Sequence, residues 1–352
     1  MCKRICFIAQ FPPPIHGLSK AVETLYDSLD KTEFTKEKVN ITNNKLFIRN
    51  IIKVIGSNAD VFYITLSQSK GGNIRDLLFL WLILLKKRKV VVHLHGGYYR
   101  ILVDEILPLW QRKINYRLIR KVDATIVLSE SLKPIFRGMI DENKIFVVPN
   151  CVDDEFVATI NEKVGRTDDR RHILYLSNFI KSKGYMEVLK LALIEKRRCE
   201  GNFYFDFAGN FTSKKDYEEF NSFIVSQGLE DLVYYYGVVS GDKKRELLQK
   251  GDIFILPTRY PKEGQPISIL EAMANGLTIV TTDHAAIPDM IQDGINGIIM
   301  RKGIPLDKIY EKMLSIDYKV FSANNMKEVE RKYTQKLYVK NMGDIFSSLI
   351  EK

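Results

Sequence analysis

The chain has 352 residues, 45% of them hydrophobic and 27% charged, with four cysteines and a formal net charge of +10. That balance excludes a disordered low-complexity chain and a disulfide-stapled miniprotein, and the length favours two domains. No apolar run approaches the roughly 20 residues of a membrane span, Met1 to Gln10 reads as a strand and not as a secretory signal, and Cys2, Cys6, Cys151 and Cys199 lack paired or metal-binding spacing, which implies reduced thiols and a cytoplasmic setting.

Strands and helices alternate along the chain. A strand at Ile5–Ala9 leads into a Pro-rich loop, and the next helix presents Ala21, Val22, Leu25, Tyr26 and Leu29 on one face. Strands recur at Val61–Leu66, Val90–Leu94, Ala124–Leu128 and Lys144–Val148. Several are continuous apolar runs, as parallel strands covered on both faces require. The longest apolar run, Leu77–Leu85, ends in Lys86-Lys87-Arg88-Lys89 and reads as a buried helix whose basic end is either solvated or set against anionic lipid. The polar run from Asn161 to Arg171 reads as a linker. A second series follows at Ile173–Leu176, Phe203–Ala208, Leu232–Tyr236, Asp252–Leu256, Leu277–Thr281 and Gly297–Met300. The expected architecture is α/β, two doubly wound parallel-sheet domains facing across a cleft, spanning 1–163 and 164–334. A last helix, with Tyr338, Met342, Ile345, Phe346 and Leu349 at helical spacing, returns to the first domain over 335–352.

Charge is uneven. Residues 1–160 hold 24 basic and 16 acidic side chains, and the remainder holds 29 against 27. A basic N-terminal half suits phosphorylated ligands or an anionic membrane surface. No finger, recognition-helix or RNA-binding signature accompanies it, so nucleic acid is not expected as a partner.

The chemistry concentrates at EGQPISILEAMANG. Strand Asp252–Leu256 runs into a polar loop, Pro266 is expected at the first helical position, and Asn275-Gly276 stops the helix. Ile267, Leu270, Met273 and Ala274 form its buried stripe. The amide N–H groups of Ile267 and Ser268, at the positive end of the helix dipole, favour an anion. Glu263 precedes the helix and Glu271 lies within it, so two carboxylates flank that anion site. A His-x-His pair, His93 and His95, could form half a metal site, but no third ligand is evident. Tyr98, Tyr99 and Trp110 could line an acceptor site, although packing is the expectation for Trp110.

These residues resemble the retaining glycosyltransferases of family 4, which have the GT-B two-domain fold. The resemblance covers nearly the whole length and is strongest over Leu256–Ile299, where EGQPISILEAMANG is followed by IPDMIQDGINGII. PNCVD at Pro149–Asp153 resembles the family's hinge segment, with Cys151 in place of glycine. Ser182-Lys183-Gly184 resembles its Lys-Gly phosphate motif, and His95-Gly96 its histidine turn. The loop before the first helix usually holds two glycines; here Gly17 is followed by Leu18.

The resemblance implies that Glu271 holds the ribose hydroxyls of a nucleotide and Glu263 contacts the transferred sugar. It implies that Lys183 and the amides of Ile267 and Ser268, opened by Gly264, Gln265 and Pro266, meet the diphosphate, and that His95 lines the reacting centre. Gln265 stands where relatives carry an aromatic or small residue, which implies a polar sugar pocket. Asn178 stands where the family carries an arginine, with Lys181 the nearest substitute cation. The implied activity is transfer of a sugar from a nucleotide diphosphate to an acceptor hydroxyl with retention, in surface-polysaccharide assembly. The acceptor expected is a glycan or polyprenyl-diphosphate-linked glycan at the inner membrane face. There is no Asp-x-Asp motif, so neither metal nor further cofactor is expected. A sugar-nucleotide epimerase of the same fold, or an inert sugar-binding homologue, remains open. A nicotinamide dehydrogenase does not, because PPPIHGLSK stands where Gly-x-Gly-x-x-Gly is needed.

Overall fold

In a computed structural model, described over residues 3–14, 17–158 and 170–351, the apolar runs become the strands of two parallel sheets. The expected boundary at 163/164 and most of the Asn161–Arg171 linker lie outside the described residues. The chain divides into two compact units, one comprising Met1–Cys151, Lys262–Gln265 and Gln335–Lys352, the other Val152–Pro261 and Pro266–Thr334. The division thus falls inside the PNCVD segment.

The elements of the first unit, in chain order, are β1 (Lys3–Ala9), α1 (Gly17–Ser28), β2 (Phe34–Asn40), α2 (Phe47–Gly56), β3 (Val61–Thr65), α3 (Lys70–Leu85), β4 (Lys89–Leu94), α4 (Tyr99–Ile101), α5 (Leu109–Ile119), β5 (Ala124–Val127) and β6 (Ile145–Val147). Those of the second are β7 (Arg171–Leu176), α6 (Tyr185–Arg198), β8 (Phe203–Ala208), α7 (Lys214–Gln227), β9 (Val233–Tyr235), α8 (Gly241–Lys250), β10 (Ile253–Leu256), α9 (Ile267–Ala274), β11 (Thr278–Thr281), β12 (Gly297–Ile299), α10 (Leu306–Ser315) and α11 (Tyr318–Lys332). The last helix, α12 (Gln335–Ile350), belongs to the first unit.

The first sheet has the order β2-β1-β3-β4-β5-β6, so the winding reverses between β1 and β3. Its core gathers Ile5, Phe7, Val61, Tyr63 and Val91 with Tyr338, Met342 and Phe346 of α12. The edge strand β2 was not expected. Its sequence, FTKEKVN, carries two lysines and a glutamate, and such charges protect an exposed sheet edge while hiding the strand from a hydrophobic reading. The second sheet has the order β12-β11-β10-β7-β8-β9, reversing between β7 and β10. Ligands of open α/β sheets bind beyond the carboxyl ends of the strands at such reversals.

Two expectations about packing are corrected. Trp110 is exposed and does not pack inward, because the buried face of α5 is taken by Gln111, Asn115, Leu118 and Ile119. The Leu77–Leu85 run is only partly buried: Leu77, Phe79, Leu80 and Ile83 face the core, while Trp81 and Leu85 face outward.

Candidate functional site

In the second unit the candidate residues lie beyond the carboxyl ends of the neighbouring strands β7 and β10, where the strand order reverses. After β7 the chain makes a short 3-10 turn, Lys181–Lys183, and Gly184 follows with φ 82°. A side chain there would be strained and would also place a Cβ 2.5 Å from Pro257 Cγ, so glycine is required. This close approach seats the lysine turn against the loop after β10, and the Arg259 amide donates to the Ser182 carbonyl at 2.6 Å. The Lys183 ammonium donates to Ser177 Oγ at 3.2 Å and lies 5.5 Å from the centre of the Tyr260 ring.

That loop leads to α9. Pro266 is its N-cap, with φ −64° and ψ 116°, and not the first helical residue. The extended ψ keeps Pro266 outside the helix while its carbonyl accepts the Ile269 amide. The half-buried Ile267 and Ser268 are the first two helical residues, where N–H groups lack partners within the helix. Gly276, with φ 69°, closes the far end as expected.

Glu271 is buried on α9, and its Oε1 accepts a hydrogen bond from Lys244 Nζ of α8 at 2.6 Å. Burial pushes the Glu271 carboxyl above its usual range; Lys244 opposes that shift, and the nearby Asp153 and Glu155 add to it. The Lys244 ammonium sits 4.2 Å from the centre of the Phe156 ring. Asn275 donates to the carbonyls of both Phe156 and Glu271, at 2.7 and 2.8 Å, fixing that ring beside α9.

Lys244 was not anticipated from the sequence. It sits among similar charges in GDKKRELLQK, but it is three and four residues before the buried Leu247 and Leu248, which places it on the inward side of α8. Asn178 is exposed after β7, its carbonyl accepting from the Tyr175 hydroxyl and the Ile180 amide. Lys181 pairs with Glu219 of α7 at 2.6 Å.

The first unit assembles the remaining candidates. β4 ends at Leu94, and the turn that begins with His95 is clasped by Lys262–Gln265. The Gly97 amide donates to the Glu263 carbonyl at 2.7 Å. A Cβ on Gly264 would lie 2.2 Å from the His95 carbonyl oxygen, and one on Gly96 2.5 Å from the Lys262 carbonyl oxygen. Two glycines therefore permit the backbones that carry Glu263 and His95 to touch. Glu263 is buried. Gln265 is buried too, and its Oε1 accepts the Asn150 amide at 2.7 Å while Asn150 Nδ2 donates to the Gln265 carbonyl at 3.0 Å. The Gln265 side chain is thereby engaged as a clamp on the PNCVD segment.

His93 is fully buried with Nδ1 2.7 Å from the Tyr63 hydroxyl, and burial, with His95 beside it, holds its pKa well below the usual value. Among the described residues no three His, Cys, Asp or Glu side chains cluster as a metal site. Tyr99 is buried, donating to Asn115 at 2.8 Å. Gly17 opens α1 beyond the carboxyl end of β1; Ile15 and His16 before it lie outside the described residues.

Residues 140–328 match the family profile described as Glycosyl transferases group 1, and residues 71–156 match that of Glycosyltransferase Family 4. The chain belongs to the group 1 glycosyl transferases. This glycosyltransferase is 24% identical over 336 residues to an uncharacterized 41.2 kDa protein in the cps region of Klebsiella pneumoniae, covering 91% of this chain and 86% of that one. It is 26% identical over 195 residues to the alpha-D-kanosaminyltransferase of Streptomyces kanamyceticus, covering 52% and 48% of the two chains. Among solved structures, Anabaena Alr3699/HepE in complex with UDP superposes with a TM-score of 0.79 at 14% identity, over 98% of this chain and 100% of that one. The shared architecture is the GT-B fold.

Proposed function

We propose that this glycosyltransferase moves a sugar from a nucleotide-diphosphate donor to an acceptor hydroxyl with retention at the anomeric carbon. What supports this reading is that Lys183 follows β7 while the α9 amide end and buried Glu271 follow β10, the neighbouring strands at which the second sheet reverses. A lysine and helix-end amides stabilise a diphosphate. A buried carboxylate further along that helix suits the paired hydroxyls of a ribose.

In this reading the bond from the anomeric carbon to the diphosphate oxygen breaks with its electron pair passing to the leaving group. The acceptor oxygen attacks on the same face, and its proton passes to a phosphate oxygen. Lys183 and the amides of Ile267 and Ser268 stabilise the charge that develops on the diphosphate. Glu263 and His95 are assigned to the transferred sugar. Cation and amide ends fill the role that a metal would otherwise take. A uridine nucleotide is the first donor to test, since the fold relative binds UDP. The relative in a cps region supports assembly of a bacterial surface polysaccharide. The acceptor we infer is a glycan or a polyprenyl-diphosphate-linked glycan, met by the basic N-terminal unit at an anionic cytoplasmic membrane face.

The test is a thermal-shift screen of UDP-, GDP- and ADP-sugars, because a ligand bound only to the folded state stabilises it by mass action. It is followed by incubation with a polyprenyl-diphosphate glycan and determination of the product anomer. Stabilisation by one nucleotide class and a product with the donor's anomeric configuration are expected. Stabilisation by none overturns the donor reading. An inverted product overturns retention, and isomerised sugar formed without acceptor indicates the epimerase.

A further inference from the structure

Helices α2 and α3 lie side by side, joined by the Phe47–Phe79 ring contact at 6.0 Å. Lys86 at the end of α3 also donates to the carbonyls of Val54, Ile55 and Ser57 at the end of α2, at 3.1, 2.6 and 2.6 Å. Each helix buries one face: Asn50 and Val54 on α2, and Asn73, Asp76, Leu77, Phe79, Leu80 and Ile83 on α3. Each also carries a second apolar stripe that points away from the core. On α2 it is Ile48, Ile52 and Ile55, which are 73%, 65% and 54% exposed; on α3 it is Ile74, Trp81 and Leu85, at 50%, 49% and 60%. The spacings of four, three, seven and four residues hold each stripe on one line of its helix. Single exposed apolar residues need no explanation, but exposed stripes on two helices that pack together amount to an apolar surface.

Its charge identifies what covers it. Residues 41–89 contain nine basic and two acidic side chains. Asp76 is buried and bound by Arg75 and the Ser67 amide, and Asp60 accepts the Arg4 amide with Arg88 at 4.0 Å. Arg49 and Lys53 each directly follow an isoleucine of the α2 stripe, and Lys87 lies two residues beyond Leu85; all three are exposed. Apolar ridges, a basic flank and a tryptophan at the ridge are the composition of a surface that enters the headgroup region of an anionic bilayer.

We propose that the α2–α3 face is a bilayer-docking surface, with the isoleucines, Trp81 and Leu85 entering the acyl boundary and the flanking lysines and arginine meeting anionic headgroups. It shares the membrane-bound acceptor with the reading above, but vesicle binding requires neither donor nor acceptor. A failure here therefore leaves the transferase reading intact, and the converse also holds.

The chain has two tryptophans, at 81 and 110. Trp110→Phe leaves Trp81 as the only fluorescent indole. That protein is mixed with vesicles of phosphatidylcholine alone and of phosphatidylcholine with phosphatidylglycerol, at low and high salt. We expect a blue shift, quenching by lipids brominated along the acyl chain, and co-flotation with the anionic vesicles, weakened by salt. Arg49→Gln with Lys53→Gln lowers partitioning by about fivefold per charge. Ile48→Ser/Ile52→Ser/Ile55→Ser lowers it by at least about tenfold, with the thermal melt and transferase activity toward a soluble acceptor retained. Unchanged Trp81 emission with both vesicles at low salt overturns the proposal, as does partitioning indifferent to the triple variant. A self-association that the triple variant abolishes, without vesicle binding, assigns the face to a second copy instead.

Discussion

Lys244→Met tests the ion pair at the heart of the proposed ribose site. The change keeps the aliphatic stem beside Phe156 and removes the ammonium from Glu271 Oε1. Side-chain exposure is 19% for Lys244 and 6% for Glu271, so the carboxylate is left nearly dry. Removing one partner of a buried pair costs about 3–5 kcal/mol, and the partly wet lysine puts this case near the lower end, at about 3. For a domain of this class that lowers Tm by about 6–12 °C. The pH dependence gives the sharper signature. Burial already raises the Glu271 carboxyl above its ordinary value, so above that value the folded state binds more protons than the unfolded state, and the group's contribution falls as pH rises. Without Lys244 the carboxyl rises further. The variant's deficit is therefore greatest in neutral to mildly alkaline solution and shrinks as pH falls through the raised pKa, where Glu271 takes a proton. Urea unfolding of wild type, Lys244→Met and the double variant with Glu271→Gln across that range measures it. The double variant recovers most of the loss and shows a flat difference from wild type. A deficit that does not change with pH, or a double variant no better than the single, refutes the reasoning.

Four further outcomes follow from the same geometry. Lys183→Ala lowers kcat by about 10²–10³, the effect of losing one preorganised group facing developing charge, with Tm nearly unchanged; steady-state kinetics checks it. Glu263→Ala lowers turnover while donor affinity persists, which calorimetric titration of the donor alongside turnover distinguishes. Gly264→Ala cannot keep its contact with the His95 carbonyl, so the clasp must shift at a cost of about 1–3 kcal/mol and activity falls; donor-free melting combined with kinetics reads both. Asp206 accepts from His172 at 2.6 Å and Tyr236 at 2.8 Å, with Lys250 at 3.3 Å. Burial raises its pKa, but these partners outweigh burial and hold it below the ordinary 3.8. Its stabilisation is thus complete above that value and lost as pH falls below it, so Asp206→Asn flattens the acid limb of the stability curve measured by denaturant titration from about pH 7 to pH 3.

Much of this protein was legible because local composition and local structure agree. Continuous apolar runs such as Ile173–Leu176 suit strands covered on both faces, and the spacing of Tyr338, Met342, Ile345, Phe346 and Leu349 suits one face of a helix. The short helix that carries Glu271 was legible because Asn275-Gly276 stops it and Leu270, Met273 and Ala274 give it a buried stripe. β2 could not be read, because an edge strand satisfies its backbone on one side and carries charges on the other. Pro266 was misplaced by one residue, since the backbone dihedrals that decide a helix start are not encoded by proline alone.

By itself the amino-acid order determined the two parallel-sheet units and the segments that carry the site, because periodicity and turn chemistry act over a few neighbouring residues. Only the tertiary structure decided that Lys244 answers Glu271, that Lys181 goes to Glu219, and that Gly264 meets the His95 carbonyl. Those pairings join residues 27, 38 and 169 positions apart. Which of several like charges or glycines finds a given partner depends on how helices and strands pack, and no local pattern records that.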